Sequence, residues 1–265
     1  MKIKSLSLVV PAYKQEKTIV KDIENLNRVL SSLLYKYEIL VVEDGILDST
    51  GRKLEALRPK IKQLKLLSYE SNHGKGHAVK YGMLKAQGDV IGFIDAGMDI
   101  DPQEISVALD LMQWNDADII IGSKLHPESK VSYPFWRKIL SWGYRTITHT
   151  LFGFSVKDTQ VGLKFFKKKA AHDIFSRIII KRYAFDIEVL TVAYKLGYTK
   201  IYESPIKLNF KKAAGISSSN FWKIIFYMLW DTAAVFYRLR ILHYYDKDNE
   251  QKTINKREKR KTKHD

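Results

Sequence analysis

Apolar residues along this 265-residue chain fall into two alternating patterns. Short β-branched or leucine-rich runs, Leu6–Val10, Glu38–Val42, Leu64–Ser68, Val90–Ile94 and Asp118–Ile121, each end at a turn residue or a carboxylate. Between them apolar positions recur three and four apart, which predicts helices from Thr18 to about Leu34, Ser49 to about Leu57, Gly76 to about Ala86, and Pro102 to about Trp114. Strands alternating with helices of about 10–15 residues predict an α/β fold with a mostly parallel, Rossmann-like sheet covered on both faces. After Gly122 the rhythm loosens. A basic aromatic segment, Pro134–Phe154, precedes a strand Leu163–Phe166, a helix from about Phe185 to Lys195 and a hairpin-like stretch Thr199–Phe210. No repeat and no linker divides the pattern, so residues 1–215 read as one domain.

Residues 221–245, FWKIIFYMLWDTAAVFYRLRILHYY, are the most apolar stretch, yet the longest unbroken apolar run is Ile224–Trp230. A spanning helix needs about 20 apolar residues. Aromatic residues interleaved with Lys223, Arg238 and Arg240 instead predict an amphipathic interfacial helix within 216–245. The tail, 246–265, holds a run from Lys252 to Lys263 with seven Lys/Arg against one Glu, so +6 of the net +16 sits in that run, and without apolar periodicity the tail reads as disordered. An anionic membrane surface is its expected partner; no nucleic acid is expected. Hydrophobic content of 45% and aromatic content of 12% are those of a globular protein, and the absence of cysteine excludes disulfides and thiolate chemistry. The opening MKIKSLSLVVPAYKQE lacks the apolar length of a secretory signal, which predicts a cytoplasmic, peripheral protein.

The candidate chemistry lies where predicted strands stop. GDVIGFIDAGMDIDP, residues 88–102, is a buried-looking strand that empties into Asp95, Asp99 and Asp101. Carboxylates on the rim of an open sheet suit a divalent cation and a phosphorylated ligand. Asp101 is expected to cap the helix that Pro102 begins. Pro11-Ala12-Tyr13 with Glu16 closes the first strand, and Glu43-Asp44-Gly45 with Asp48 closes the second, placing further polar groups on that rim. Asn72-His73-Gly74-Lys75-Gly76 is a glycine-flanked lysine opening a helix, which suits a diphosphate; its spacing is not that of a P-loop.

PAYKQE, VVEDGILDST, NHGKGHAVKYGMLKAQGD, the DAGMD run, IIGSK and DTQVGLKFF, in this order, resemble the family-2 glycosyltransferases of the glycosyltransferase-A fold. The Asp158-Thr159-Gln160-x-Gly162 block narrows the resemblance to the polyprenyl-phosphate branch, whose members transfer mannose or glucose to dolichyl phosphate. The resemblance implies that Pro11, Tyr13, Glu16, Glu43, Asp44 and Lys75 line a nucleotide pocket. It also implies that Asp95, Lys75, Asp158 and Gln160 serve catalysis, and that Asp95 and Asp99 hold Mg²⁺ or Mn²⁺. Two departures stand out: Glu43 replaces the first of two aspartates, and the Asp-x-Asp motif reads Asp95-Ala-Gly-Met-Asp99. Lys124 takes the place of an arginine after Gly-Ser. Arg137 and Ser141, four apart on a predicted helix, could grip a lipid phosphate, and Lys211, Lys212 and Ser217 resemble a basic segment that closes over the diphosphate.

These readings imply inverting transfer of a hexose from GDP-mannose or UDP-glucose to polyprenyl or dolichyl phosphate at the cytoplasmic face of a membrane. A phosphate acceptor is largely a dianion near neutral pH and needs no strong general base, so Asp158 either orients the sugar or acts as a base. Two alternatives are a family-2 transferase with a polysaccharide or protein hydroxyl acceptor, and a non-catalytic basic binding module.

Overall fold

The computed structural model describes residues 2–131, 135–181, 184–208 and 221–246. Its core is a seven-stranded sheet in the order β3-β2-β1-β4-β7-β5-β8. The strands are β1 (Ser5–Ala12), β2 (Lys36–Asp44), β3 (Leu64–Tyr69), β4 (Val90–Ile94), β5 (Ile119–Ser123), β7 (Leu163–Lys167) and β8 (Ile201–Pro205). A two-stranded ribbon joins β6 (Lys130–Val131) to β9 (Lys207–Leu208). β7 runs antiparallel to both its neighbours and the other pairings in the large sheet are parallel.

The apolar runs become strands buried on both faces because helices cover each side. All five residues of β4 are buried. Alternate residues of β1 point to opposite layers: Leu8 and Val10 join one core, Val9 the other. The first layer holds α1 (Ile19–Ser31), α2 (Thr50–Leu57) and α4 (Glu104–Trp114); the second holds α3 (Lys75–Lys85), α6 (Lys168–Phe175) and α7 (Phe185–Lys195). In α1 the stripe Ile19, Ile23, Leu26 and Leu30 follows the helical period and is wholly buried.

Two local expectations change. The regular part of α4 begins at Glu104, and Pro102–Gln103 form a turn in which Asp101 Oδ1 accepts the Gln103 N–H at 3.0 Å. Among the described residues of the stretch Thr199–Phe210 the expected hairpin is not seen: β8 pairs parallel to β5 on the sheet edge, and β9 leaves to pair parallel to β6. Two short strands so close in sequence do not pair with each other because each finds a partner more than 70 residues away.

The helices α5 (Phe135–Phe152) and α8 (Phe221–Arg240) lie beside the second layer. Tyr144 and Thr232 share a hydroxyl hydrogen bond of 2.7 Å between them, and Val235 is buried in the core. The end of α8 is tied to α7 through Glu188, which is fully buried and accepts from Tyr245 Oη (2.5 Å) and from the N–H groups of Ile179 (2.8 Å) and Ile180 (2.7 Å). Phe226, Trp230, Tyr237, Ile241 and Leu242 remain exposed. Among the described residues no helix is long and apolar enough to cross a membrane.

Candidate active site

The C-terminal ends of the parallel strands and the N-terminal end of β7 share one edge of the sheet, around a cavity of about 740 Å³. It sits where strand order reverses between β1 and β4, the position at which open α/β sheets bind ligands. One end is lined by Pro11, Tyr13, Gln15, Asp44, Asn72 and Lys75. Asp95 lies on the wall as well, and the other end is lined by Lys124, Gln160, Phe185, Asp186 and Met228. A second groove of about 730 Å³, lined by Lys21, Arg28, Gln103 and the helix-capping Asp101 among others, contains no predicted site residue.

Asp44 is the anchor of the first end. Oδ1 accepts from Tyr69 Oη (2.8 Å) and the His73 N–H (2.7 Å), and Oδ2 from Asn72 Nδ2 (2.8 Å) and the Gly74 N–H (2.9 Å). Burial and the neighbouring Asp44 carboxylate hold the Tyr69 phenol far above its ordinary value, so it stays a donor. Asp44 thus fixes the loop that delivers Lys75, and Gly74 at φ +97° supplies a backbone turn that a side chain would strain.

Glu43 and Glu16, expected in the pocket, are turned away from it. Glu43 is buried and Oε1 accepts the Gly51 N–H at 2.8 Å, so it satisfies the N-terminus of α2; burial raises its pKa. Glu16 Oε2 accepts from Ser49 N–H (3.1 Å) and Oγ (2.6 Å), and the Ser49 hydroxyl leads in lowering its pKa. Both carboxylates brace loops, because each lies within reach of a helix start with unpaired N–H groups.

At the middle of the cavity Lys75 Nζ lies 2.6 Å from Asp95 Oδ1 and 2.7 Å from Oδ2. Burial works against the lysine's charge, but Asp95 and then Asp186 hold its pKa above the ordinary value. The Asp95 N–H donates to the Gly162 carbonyl at 3.0 Å, and a β-carbon at position 162 would collide with the Asp95 carboxylate, so a larger residue there would displace it. Asp99 does not join Asp95 on the wall. Gly97 (φ +85°) and Met98 (φ +50°) turn the chain through the left-handed region, and Asp22 Oδ2 holds the Gly97 N–H at 3.1 Å. Among the described residues no group of three His, Cys, Asp or Glu is arranged to hold a metal. Asp95, about two-fifths accessible on the cavity wall, suits the kind of Mg²⁺ or Mn²⁺ site in which one carboxylate and substrate phosphates share the ion.

At the far end, Gln160 and Lys124 line the cavity but Asp158 does not. The Asp158 carboxylate is buried, accepts the Lys124 N–H (2.9 Å) and the Gln160 N–H (3.2 Å) and lies 3.7 Å from Lys124 Nζ, so it ties the segment after β5 to the loop before β7. Ser141 is exposed on α5 away from the cavity lining, and the Arg137 side chain lies outside the described residues, as do Lys211, Lys212 and Ser217. Asp186, Phe185 and Met228 carry no site signal in the sequence. An acid in the first turn of a helix reads as ordinary dipole compensation, and a methionine in an apolar helix reads as packing. Lys75 Nζ stands 5.6 Å over the Phe185 ring, and Asp186 receives the buried Lys164 ammonium at 2.5 Å.

Residues 7–175 match the family described as Glycosyl transferase family 2. The chain is 32% identical over 205 residues to dolichyl-phosphate beta-glucosyltransferase of Dictyostelium discoideum, an alignment covering 72% of this chain and 63% of that protein. It is 30% identical over 247 residues to the Drosophila melanogaster protein of the same name, covering 85% and 74%. The fold is similar to glucosyl-3-phosphoglycerate synthase from Mycobacterium tuberculosis, solved with Mn²⁺, UDP and phosphoglyceric acid, at 17% identity and a TM-score of 0.65, over 88% of this chain and 78% of that one. It is similar as well to mannosyl-3-phosphoglycerate synthase from Rubrobacter xylanophilus, at 17% identity and a TM-score of 0.67, over 91% and 76%.

Proposed function

The chain belongs to glycosyl transferase family 2 and is a glycosyltransferase, and we propose that it transfers glucose from UDP-glucose to dolichyl or a related polyprenyl phosphate, with inversion, at the cytoplasmic face of a membrane. The observation that carries this reading is one continuous cavity: Lys75 and Asp95 share it with Met228, which belongs to the same helix as the exposed Phe226 and Trp230. A charged donor and a lipid-borne acceptor can therefore meet in one place. The names of the relatives support glucose, dolichyl phosphate and a β product.

The chemistry asks little of a base. The acceptor phosphate oxygen forms its bond to the anomeric carbon while the bond to the UDP β-phosphate oxygen breaks and UDP leaves with the electron pair. Lys75 stabilises the charge that grows on the diphosphate. Asp95 would hold a divalent cation together with the diphosphate, and when bound that cation neutralises the leaving group. Lys124 and Gln160 orient the acceptor phosphate, and Asp186 faces the sugar. The exposed aromatic face of α8 seats in the headgroup region and brings the lipid to the cavity mouth.

Purified protein incubated with radiolabelled UDP-glucose and dolichyl phosphate in liposomes is expected to yield lipid-soluble label, lost with EDTA, with GDP-mannose much poorer. Absence of lipid-linked label with either donor overturns the proposal.

A further inference from the structure

Lys164 has no exposed surface and stands in β7 among Leu163, Phe165 and Phe166, where an apolar side chain would be the ordinary occupant. Replacing a buried ion pair by apolar residues is often neutral or stabilising, so stability alone does not account for it. Its ammonium is fully engaged. Nζ donates to Asp186 Oδ1 at 2.5 Å and to the Val161 carbonyl at 2.7 Å, and it lies 5.5 Å from the centre of the Phe93 ring. One oxygen belongs to a residue that lines the cavity and the other to the neighbour of one that does. Asp186 lines it from the first turn of α7, and Val161 follows Gln160, which lines it from the loop before β7. The same loop gives the Gly162 carbonyl to the Asp95 N–H.

We propose that Lys164 is a positioning residue for glycosyl transfer: from inside the core it clamps the Asp186 wall to the Gln160 loop and so sets the spacing of the sugar and acceptor end of the cavity. This rests on the donor and acceptor assignment above. The Asp44 anchor of the nucleotide end is separate from the clamp, since its four hydrogen bonds, to Tyr69, Asn72, His73 and Gly74, involve neither β7 nor α7.

The test compares Asp186→Asn with the double variant Lys164→Met/Asp186→Asn. The single variant keeps the lysine's bond to Val161. The double variant loses it but also removes the ammonium that Asp186→Asn leaves buried without its carboxylate, so its melting temperature is expected at or above that of the single variant, and a lower kcat/KM in it is not a loss of fold. Positioning predicts that the double variant has a kcat/KM for dolichyl phosphate about tenfold or more below the single variant, with the Kd for UDP unchanged. Equal kcat/KM values in the two variants, or a parallel loss of UDP affinity, overturn the proposal. Hydrogen exchange provides a readout without turnover. Amides of 158–162 are expected to exchange faster in the double variant than in Asp186→Asn, while those of His73 and Gly74, bonded to Asp44, do not change. Unchanged exchange at 158–162 overturns the clamp even if wild-type protein transfers no glucose, a result that would count only against the proposed function.

Discussion

The two ends of the cavity are built in different ways. The end holding Asp44 and Lys75 comes from residues 11–78, on parallel strands, and its loop is pinned by four hydrogen bonds to one carboxylate. The other end gathers Lys124, Gln160, Asp186 and Met228 from segments spread over more than 100 residues, next to the antiparallel strand β7 and a helix that shows aromatic residues to solvent. The first end is preorganised around one carboxylate whose donors lie 25 to 30 residues along the chain; the second depends on separate pairs that reach further, such as Asp158 with Glu203 and Tyr144 with Thr232, 45 and 88 residues apart. That contrast suits a rigid site for a soluble nucleotide beside a site that opens to a lipid surface.

The largest test strikes the junction of the two ends. Lys75→Met removes the partner of Asp95 and the charge proposed to stabilise the diphosphate, and is expected to cut kcat/KM by about 10²–10³-fold in steady-state assays with either substrate varied. If only one substrate were affected, the ends would not share this residue. Asp44→Asn comes next. It replaces one carboxylate oxygen that accepts two donors, which is expected to cost about 1.5–3 kcal/mol in UDP binding by calorimetry while the KM for dolichyl phosphate is unchanged. A shift in both would erase the proposed independence of the ends.

A third test addresses the lipid side alone. Phe226→Ser with Trp230→Ser exposes polar groups where two stacked rings now lie, 6.3 Å apart, and is expected to lower liposome cosedimentation several-fold with the UDP Kd unaltered. The smallest effect concerns how α8 is held. Burial raises the Glu188 pKa, against opposing hydrogen bonds from Tyr245 and the Ile180 and Ile179 amides. A raised carboxyl pKa means the folded chain binds the proton more tightly than the unfolded chain. This contribution to stability is therefore complete below the ordinary value of 4.5 and is lost as pH climbs through the raised folded value. Melting temperature measured across that window is expected to fall more steeply in wild type than in Glu188→Gln, a difference on the order of 1 kcal/mol in stability.

Much of the first half was legible before any coordinates. The strands ending at Ala12, Asp44 and Ile94, and the helix opened by Lys75, are signalled by local periodicity and by glycine, and they carry Asp44, Lys75 and Asp95 to one edge. The roles of individual carboxylates were less legible. Glu43, Glu16 and Asp158 have the composition of site residues, yet each is consumed by N–H or hydroxyl donors close by in space. Asp99 is carried off by a left-handed turn that its neighbours Gly97 and Met98 do not announce.

Hydrophobic spacing, turn residues and the order of motifs were enough to determine the alternating α/β layers, the family resemblance and an apolar helix too interrupted to span a bilayer. Tertiary structure alone decided which carboxylates face the cavity, brought Asp186 and Met228 into it, and placed a buried lysine behind its wall. The physical reason is one of range. Helix and strand patterns are written by neighbours within a few residues, whereas a hydrogen-bond donor that claims a carboxylate, or a charge that balances another in the core, is chosen by whatever packing brings within about 3 Å.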